Sequence, residues 1–313
     1  MAALMSASSW AGAQAYPARP VRIVVPFVPA GPTDINARMV AQKLAEAWGH
    51  AFVVENRGGA GGMLGTEIVT KSAPDGYTLL GANPGPLTIA QSLYPKMGYD
   101  TFKHLAPVIL VTNTTSVLAV HPSVPAKTVK ELIALAKAQP DKLTYGTPGI
   151  GTVGHLTWEM FNHMAGTRML HVPYKGSAQS TNDFLAGQLD LRSFSTPASL
   201  PLMKSGKARV IAINGLKRSP LMPEVPTVDE SGLPGFESAN WNGIMAPAGT
   251  PRDIIVKLHD EIQRRVIKSE LREQLIKDGY EVAGLGPDEF AAFMKSETAK
   301  WARVIKITKV KLD

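Results

Sequence analysis

The six residues Gly149-Ile150-Gly151-Thr152-Val153-Gly154 carry the G-x-G-x-x-G spacing of a dinucleotide-binding turn. They stand between a short predicted strand over 143–146 and a predicted helix with Leu156, Met160, Phe161 and Met164 on one side. Glycine at these positions lets backbone N–H groups close on an anion, and a helix start adds unpaired N–H groups and the positive end of its dipole. A dehydrogenase also needs an acid at the end of the next strand to hold a ribose. That strand, Met169-Leu170-His171-Val172-Pro173-Tyr174-Lys175, ends without one, and Pro148 directly precedes the first glycine. An anion-binding turn is the leading reading, and an NAD(P)-dependent oxidoreductase is the alternative.

A second turn of the same kind opens the chain. Val21, Ile23, Val24 and Val25 form a β-branched run, which Pro26 and Pro29 end because neither has an N–H to donate. Past Ala30-Gly31-Pro32, the residues Ile35, Met39, Val40 and Leu44 fall on one helical face, with Thr33 or Asp34 expected as N-cap. In an open α/β sheet the crevice beyond the strand ends is where ligands bind. Two such turns predict two domains that face each other across an anion.

Other chemistry finds little support. The run Gly65-Thr66-Glu67-Ile68-Val69-Thr70-Lys71-Ser72 has Thr70 where a phosphate loop needs its second glycine, so it reads as a helix with a surface lysine. The glycines from Gly58 to Gly62 form a loop that approaches the cleft or simply turns. The seven histidines are dispersed without an H-E-x-x-H, which argues against a metal, and no cofactor is expected. His155, four residues before Glu159, either lines the pocket or caps and packs its helix. There is no G-x-S-x-G elbow and no cysteine to act as nucleophile, so an enzyme is not expected.

The 313 residues suit two medium α/β domains. The first fifteen carry no charge and end in Ala13-Gln14-Ala15, a cleavage signature that predicts a shortened signal peptide over 1–15 with Tyr16 as mature N-terminus. No apolar run is long enough to span a bilayer. Export to the periplasm is the expectation. The net charge of +7 comes from Lys and Arg mixed with acids, as in Glu261-Ile262-Gln263-Arg264-Arg265; this predicts a field for small anions and no nucleic-acid partner.

Strand and helix signals alternate nearly throughout. Strands are predicted over 51–55, 77–81, 108–120, 143–146, 169–172, 189–193, 209–213 and 236–248. Helices are predicted over 64–71, 87–93, 128–138, 183–188 and 200–205, the third opened by the capping box Thr128-Val129-Lys130-Glu131. Three helices, over 251–269, 270–278 and 287–307, finish the chain and are expected to pack back on the first domain. The chain then crosses between domains twice, which makes a hinge. The expected organisation is 16–117 and 236–313 as domain 1 and 118–235 as domain 2.

With both turns placed, the chain resembles the substrate-binding proteins of the tripartite tricarboxylate transporter family, the Bug receptors. The resemblance rests on YPARPVRIVVPFVPAGPTD, VENRGGAGGMLGTE, APDGYTLLGAN, YGTPGIGTVGHL, HVPYKGSAQSTNDFLAGQLDL, PTVDESGLPGFE and WNGIMAPAGTP, seven segments in order from Tyr16 to the last helices. It implies an α/β two-domain periplasmic-binding-protein fold, a Venus flytrap, that closes as a monomer around a small carboxylate and delivers it to membrane permease subunits. A carboxylate-sensing receptor without transport is a further alternative. By motif, Phe27, Ala30, Gly31, Thr33 and Asp34 would hold the carboxylate from one side, and Thr147, Gly149, Gly151, Thr152 and His155 from the other.

Specificity is expected from Asn83, Tyr174, Arg192, Ser195 and Thr196, which follow strand ends or motif turns facing the cleft. Many relatives carry an acid where this chain has Phe194, which argues against a ligand with a cationic amine. Arg192 either pairs bidentately with a second carboxylate, making the ligand a dicarboxylate, or pairs with Asp190 on the same strand face. Phe194 or Trp241 would then suit an aromatic acid.

Overall fold

The structure is a computed structural model, and it describes residues 16–310, so the predicted signal peptide over 1–15 lies outside the described residues. The chain runs β1 (Val21–Val25), α1 (Pro32–Trp48), β2 (Phe52–Asn56), α2 (Met63–Thr70), β3 (Thr78–Ala82), α3 (Ala90–Leu93), α4 (Thr101–His104) and β4 (Leu105–Val120). It continues with α5 (Val129–Ala138), β5 (Thr144–Thr147), α6 (Val153–Ala165), β6 (Leu170–Pro173), α7 (Ser177–Leu185), β7 (Leu191–Ser195), α8 (Thr196–Lys204) and β8 (Arg209–Ile213). Last come β9 (Ala239–Pro247), α9 (Arg252–Ile262), α10 (Leu271–Lys277), β10 (Glu281–Leu285) and α11 (Pro287–Thr308).

The strands pair in the order β2-β1-β3-β9-β4-β7-β5-β6, with β8 and β10 also on β4. Sixteen-residue β4 belongs to both halves of this sheet. From Leu105 to Thr115 it lies antiparallel to β9, and from Ser116 to Val120 antiparallel to β7 and β8. The chain returns beside that change of partner: Asn214 N–H bonds Ser116 O, Ser238 N–H bonds Asn214 O, and β9 begins at Ala239. These are the two crossings expected from the sequence.

Strand alternation buries both faces of each half. Ile23 and Val25 join Leu44, Leu79 and Leu258 under α1 and α9, while Val24 joins Leu80, Met245 and Phe290 on the opposite face. In the other half Leu118 and Val120 pack with Trp158 and Phe161, and Val117 and Ala119 with Phe184 and Phe194.

Several expectations are corrected. The N-cap of α1 is Gly31, with Pro32 at the first helical position, because the Thr33 and Asp34 side chains turn to partners elsewhere. Ile35 is 52% exposed, so the buried stripe of α1 is Ala37, Val40, Ala41 and Leu44. Helices α7 and α8 begin earlier than predicted, directly at the ends of the turns, and β10 was not predicted at all. The last helix does not return to the first half alone. Phe290 and Met294 sit in that half's core, whereas Trp301 and Val304 sit in the other's.

Trp301 is fully buried, and its indole N–H donates to Glu297. Trp301→Ala should lower stability by about 3–5 kcal/mol, the range for deleting a large buried aromatic. Truncating exposed Ile307 on the same helix should do little. Paired urea midpoints check this.

Candidate functional site

The turn after β1 is held from beneath by Asp34, which is 3% exposed. Its carboxylate accepts the Ala30 N–H, Arg38 Nε and Asn56 Nδ2, each at 2.9 Å, and Asn56 Nδ2 also reaches the Phe27 carbonyl at 3.0 Å. Burial pushes this carboxyl's pKa up, but the three hydrogen bonds and the Arg38 charge outweigh it and hold the pKa below the usual range. Ala30 sits at φ 65°, a left-handed conformation that the Asp34 bond keeps in place. Asp34 thus braces the turn. The N–H groups at the start of α1, by the geometry of any helix, have no partner inside it.

Beside this turn runs a line of polar side chains from three elements. Gly85 N–H donates to Asn83 Oδ1 at 3.0 Å, Asn83 Nδ2 to Thr33 Oγ1 at 3.1 Å, and Thr33 Oγ1 to Asn242 Oδ1 at 3.0 Å. All three side chains are buried.

The second turn is built on two stacked imidazoles. His155 and His171 lie 4.0 Å apart at 15°. Gly151 N–H donates to His155 Nδ1 at 3.2 Å, and His171 Nε2 meets Thr147 Oγ1 at 2.6 Å, where Gly149 N–H also bonds. Gly149 and Gly151 adopt φ 144° and 74°, which favour glycine. Thr152 caps α6 through the His155 N–H. Burial, and then the neighbouring His171, lower the His155 pKa to about 3, so this imidazole is neutral and can accept. Tyr145 stacks on the far side of His171 and donates to Glu159, whose carboxyl burial pushes up.

Each turn meets a loop of the opposite half. A Cβ at Gly61 would stand 3.3 Å from the Ile150 carbonyl, one at Gly85 3.8 Å from the Gly151 carbonyl, and one at Gly176 2.9 Å from the Val28 side chain. Of these, Gly151 is a site residue that the sequence names; Val28, Gly85 and Gly176, with His171 and Asn242, are not singled out there. The run from Gly58 to Gly62 marked a loop, and only folding shows that Gly61 reaches the other half.

The distal residues divide. Tyr174 donates to Asp183 at 2.7 Å, and burial together with that acid raises its pKa to about 12. Ser195 is the N-cap residue of α8, and Thr196 donates to the Thr115 carbonyl at 2.9 Å where β4 changes partners. The expected alternative of an Arg192–Asp190 pair is not formed. Asp190 accepts the Thr144 N–H and hydroxyl, while Arg192 donates to Ser180 Oγ and to the Ser177 and Ser193 carbonyls. Arg192 also lies 4.2 Å over the Phe194 ring, and burial lowers its pKa to about 10. Phe194 packs on Phe184, and Trp241 on Phe290 and Phe293, so both rings are occupied by the core and neither supports the aromatic acid. A groove of about 530 Å³ flanks α1, lined by Ile35, Met39, Leu200 and Leu271, and gives exposed Ile35 its surroundings.

Among the described residues no group of three His, Asp or Glu could hold a metal, and no helix is long and apolar enough to cross a membrane. Two α/β halves joined by two crossings, each with a helix-starting turn that meets a loop of the other, have the build of a periplasmic binding protein. The family model described as the tripartite tricarboxylate transporter family receptor matches residues 36–310, and the chain belongs to that family, whose members are substrate-binding receptors and not enzymes. The chain is similar to Protein BugT of Bordetella pertussis, at 37% identity over 96% of this chain and 92% of that one. Among solved structures it is similar to Rpa4515 of R. palustris with adipate, at 36% identity and TM-score 0.90 over 95% of this chain and 99% of that one. It is also similar to MatC from Rhodopseudomonas palustris with bound malate, at 32% identity and TM-score 0.87 over 93% and 100%. The oxidoreductase alternative is thereby set aside, and Gly149 and Gly151 of its fingerprint shape the turn before α6.

The unfolded chain takes up the His155 proton near the ordinary value of 6.5, and the folded chain resists it down to about 3. This contribution to stability is therefore complete above 6.5 and is lost as pH falls through that window. His155→Asn, which keeps an acceptor for Gly151 N–H and cannot titrate, should melt with a flatter pH dependence between 6.5 and 3. Thermal melts of both proteins across that range check it.

Proposed function

We propose that this protein is a periplasmic receptor that binds a small aliphatic dicarboxylate between its two turns and delivers it, as a monomer, to the permease subunits of a tripartite tricarboxylate transporter. The observation that carries the reading is a pair of helix-starting turns, each meeting a loop of the opposite half and each braced by an internal acceptor: Asp34 under the first and neutral His155 under the second. One carboxylate sits between the turns, facing Phe27, Ala30, Gly31 and Thr33 on one side and Thr147, Gly149, Gly151 and Thr152 on the other.

Each helix start contributes about 0.3–1 kcal/mol toward an anion, up to about 2 when partly buried. With several charge-assisted N–H bonds this supports micromolar binding, about −8 kcal/mol. Arg192 has carbonyls and a hydroxyl as partners and adds an uncompensated positive charge from beneath α7, which favours a dianion. Adipate and malate, present in the two similar structures, are both dicarboxylates. Closure moves 118–235 against 16–117 and 236–313 about the change of partner on β4.

Ligand-free protein should melt higher with aliphatic dicarboxylates, by about 2.7 kcal/mol of added stability at a hundredfold excess over Kd. Matching monocarboxylates should act more weakly and amino acids least. A thermal-shift panel decides it: no response to any carboxylate would sink the reading.

A further inference from the structure

The line of side chains beside the first turn starts at a backbone donor. Gly85 N–H can only donate, so the Asn83 atom it meets at 3.0 Å is the carbonyl oxygen. The other end of Asn83 is then the NH2, which donates to Thr33 Oγ1. The Thr33 hydroxyl donates to Asn242 Oδ1 at 3.0 Å. The free end of Asn242 is its NH2.

That NH2 has no hydrogen-bond partner, and Asn242 is 1% exposed. A buried donor left unpaired costs about 1–3 kcal/mol, and native interiors rarely keep one without a reason. The same face of the crossing strands holds a second such atom. Asn242 stands opposite Thr112 and Asn240 opposite Thr114, and the Thr114 hydroxyl is likewise buried without a partner. Thr112 is satisfied by Asn36 Nδ2 at 3.1 Å. The other end of the line, Gly85, faces the second turn, where a Cβ on it would stand 3.8 Å from the Gly151 carbonyl.

We propose that Asn242 is the residue that reads the far end of the ligand, its NH2 donating to an oxygen of the second carboxylate. This rests on the receptor reading above and adds the group that selects the ligand's second function. A carboxylate supplies the acceptor that the NH2 lacks. An ammonium at the same place would set donor against donor, so amino acids are rejected at this position, and a methyl-ended acid leaves the NH2 unpaired.

Asn242→Asp tests this, because Asp keeps the oxygen that accepts the Thr33 proton and replaces only the NH2, by an anionic oxygen. Calorimetric titration would compare succinate, malate, glutarate and adipate with butyrate, pentanoate and hexanoate, for wild type and variant. The expected result is that wild type binds a dicarboxylate at least about tenfold more tightly than the monocarboxylate of equal length, and that the variant loses this preference, its dicarboxylate affinity falling further than its monocarboxylate affinity. Should the Asp variant fail to fold, Asn242→Ala is measured in its place with the same expectation.

An unchanged preference in the variant, equal loss for both ligand classes, or a wild type without preference overturns the inference alone. A wild type that binds none of these acids overturns the receptor reading, and this inference with it.

Discussion

A single strand hydrogen-bonded to different partners along its length governs this molecule. β4 gives its first two-thirds to β9 and its last five residues to β7 and β8, so the two halves share a continuous backbone. The return of the chain at Ser238 is tied to the same place, through Asn214 to Ser116 and through the Ser238 hydroxyl to Thr157, 2.5 Å away in the second turn of α6. The helix that begins at the glycine turn is thus bonded, within its own length, to the crossing. Geometry at the turn and geometry at the crossing cannot change independently.

Both turns solve one problem in the same way. A loop meant for an anion must keep several N–H groups pointing one way, and N–H groups so arranged repel one another. Each turn is held by an acceptor behind it. For the first that acceptor is a carboxylate kept ionised by Arg38 and Asn56, and for the second it is an imidazole kept neutral by burial and by its stacked neighbour. A positively charged His155 would have no lone pair at Nδ1 for Gly151. This is why a histidine at a helix start serves as a hydrogen-bond acceptor here and leaves the proton chemistry unused.

What the sequence made legible was the part written in short-range chemistry. β-Branched runs, proline stops and glycine turns placed nearly every element, and the repeated turn motif located the meeting of the halves. Long-range partners were not legible. The Thr128 cap forms as expected, yet the Glu131 carboxylate bonds the Lys127 N–H instead of that of Thr128. Asp190 and Arg192 share a strand face, as alternation requires, but Asp190 finds Thr144 on β5 and Arg192 finds α7, whose start the helical signal had placed too late. β10 carries no clear alternation, although Asp278-Gly279 and Gly286-Pro287 punctuate it, and it is stabilised by pairing with β4. Asn242 was quoted only as part of a motif, since nothing in the sequence marks a side chain whose value lies in a partner fifty or two hundred positions away.

Helix α11 constrains the same crossing from outside. Its first turns are anchored by Phe290 and Met294 in one half, and Trp301 and Val304 are anchored in the other. A rigid rod fixed at both ends, lying over strands that are continuous between the halves, opposes shear and separation far more than rotation about the line where strand and helix both cross. Asn242 and Thr112 lie close to that line, on paired strands where a rotation displaces atoms least, whereas Gly61, Ile150, Val28 and Gly176 lie at the loops, where it displaces them most. In the closure proposed above, the Asn242 donor beside the crossing moves less than the loops.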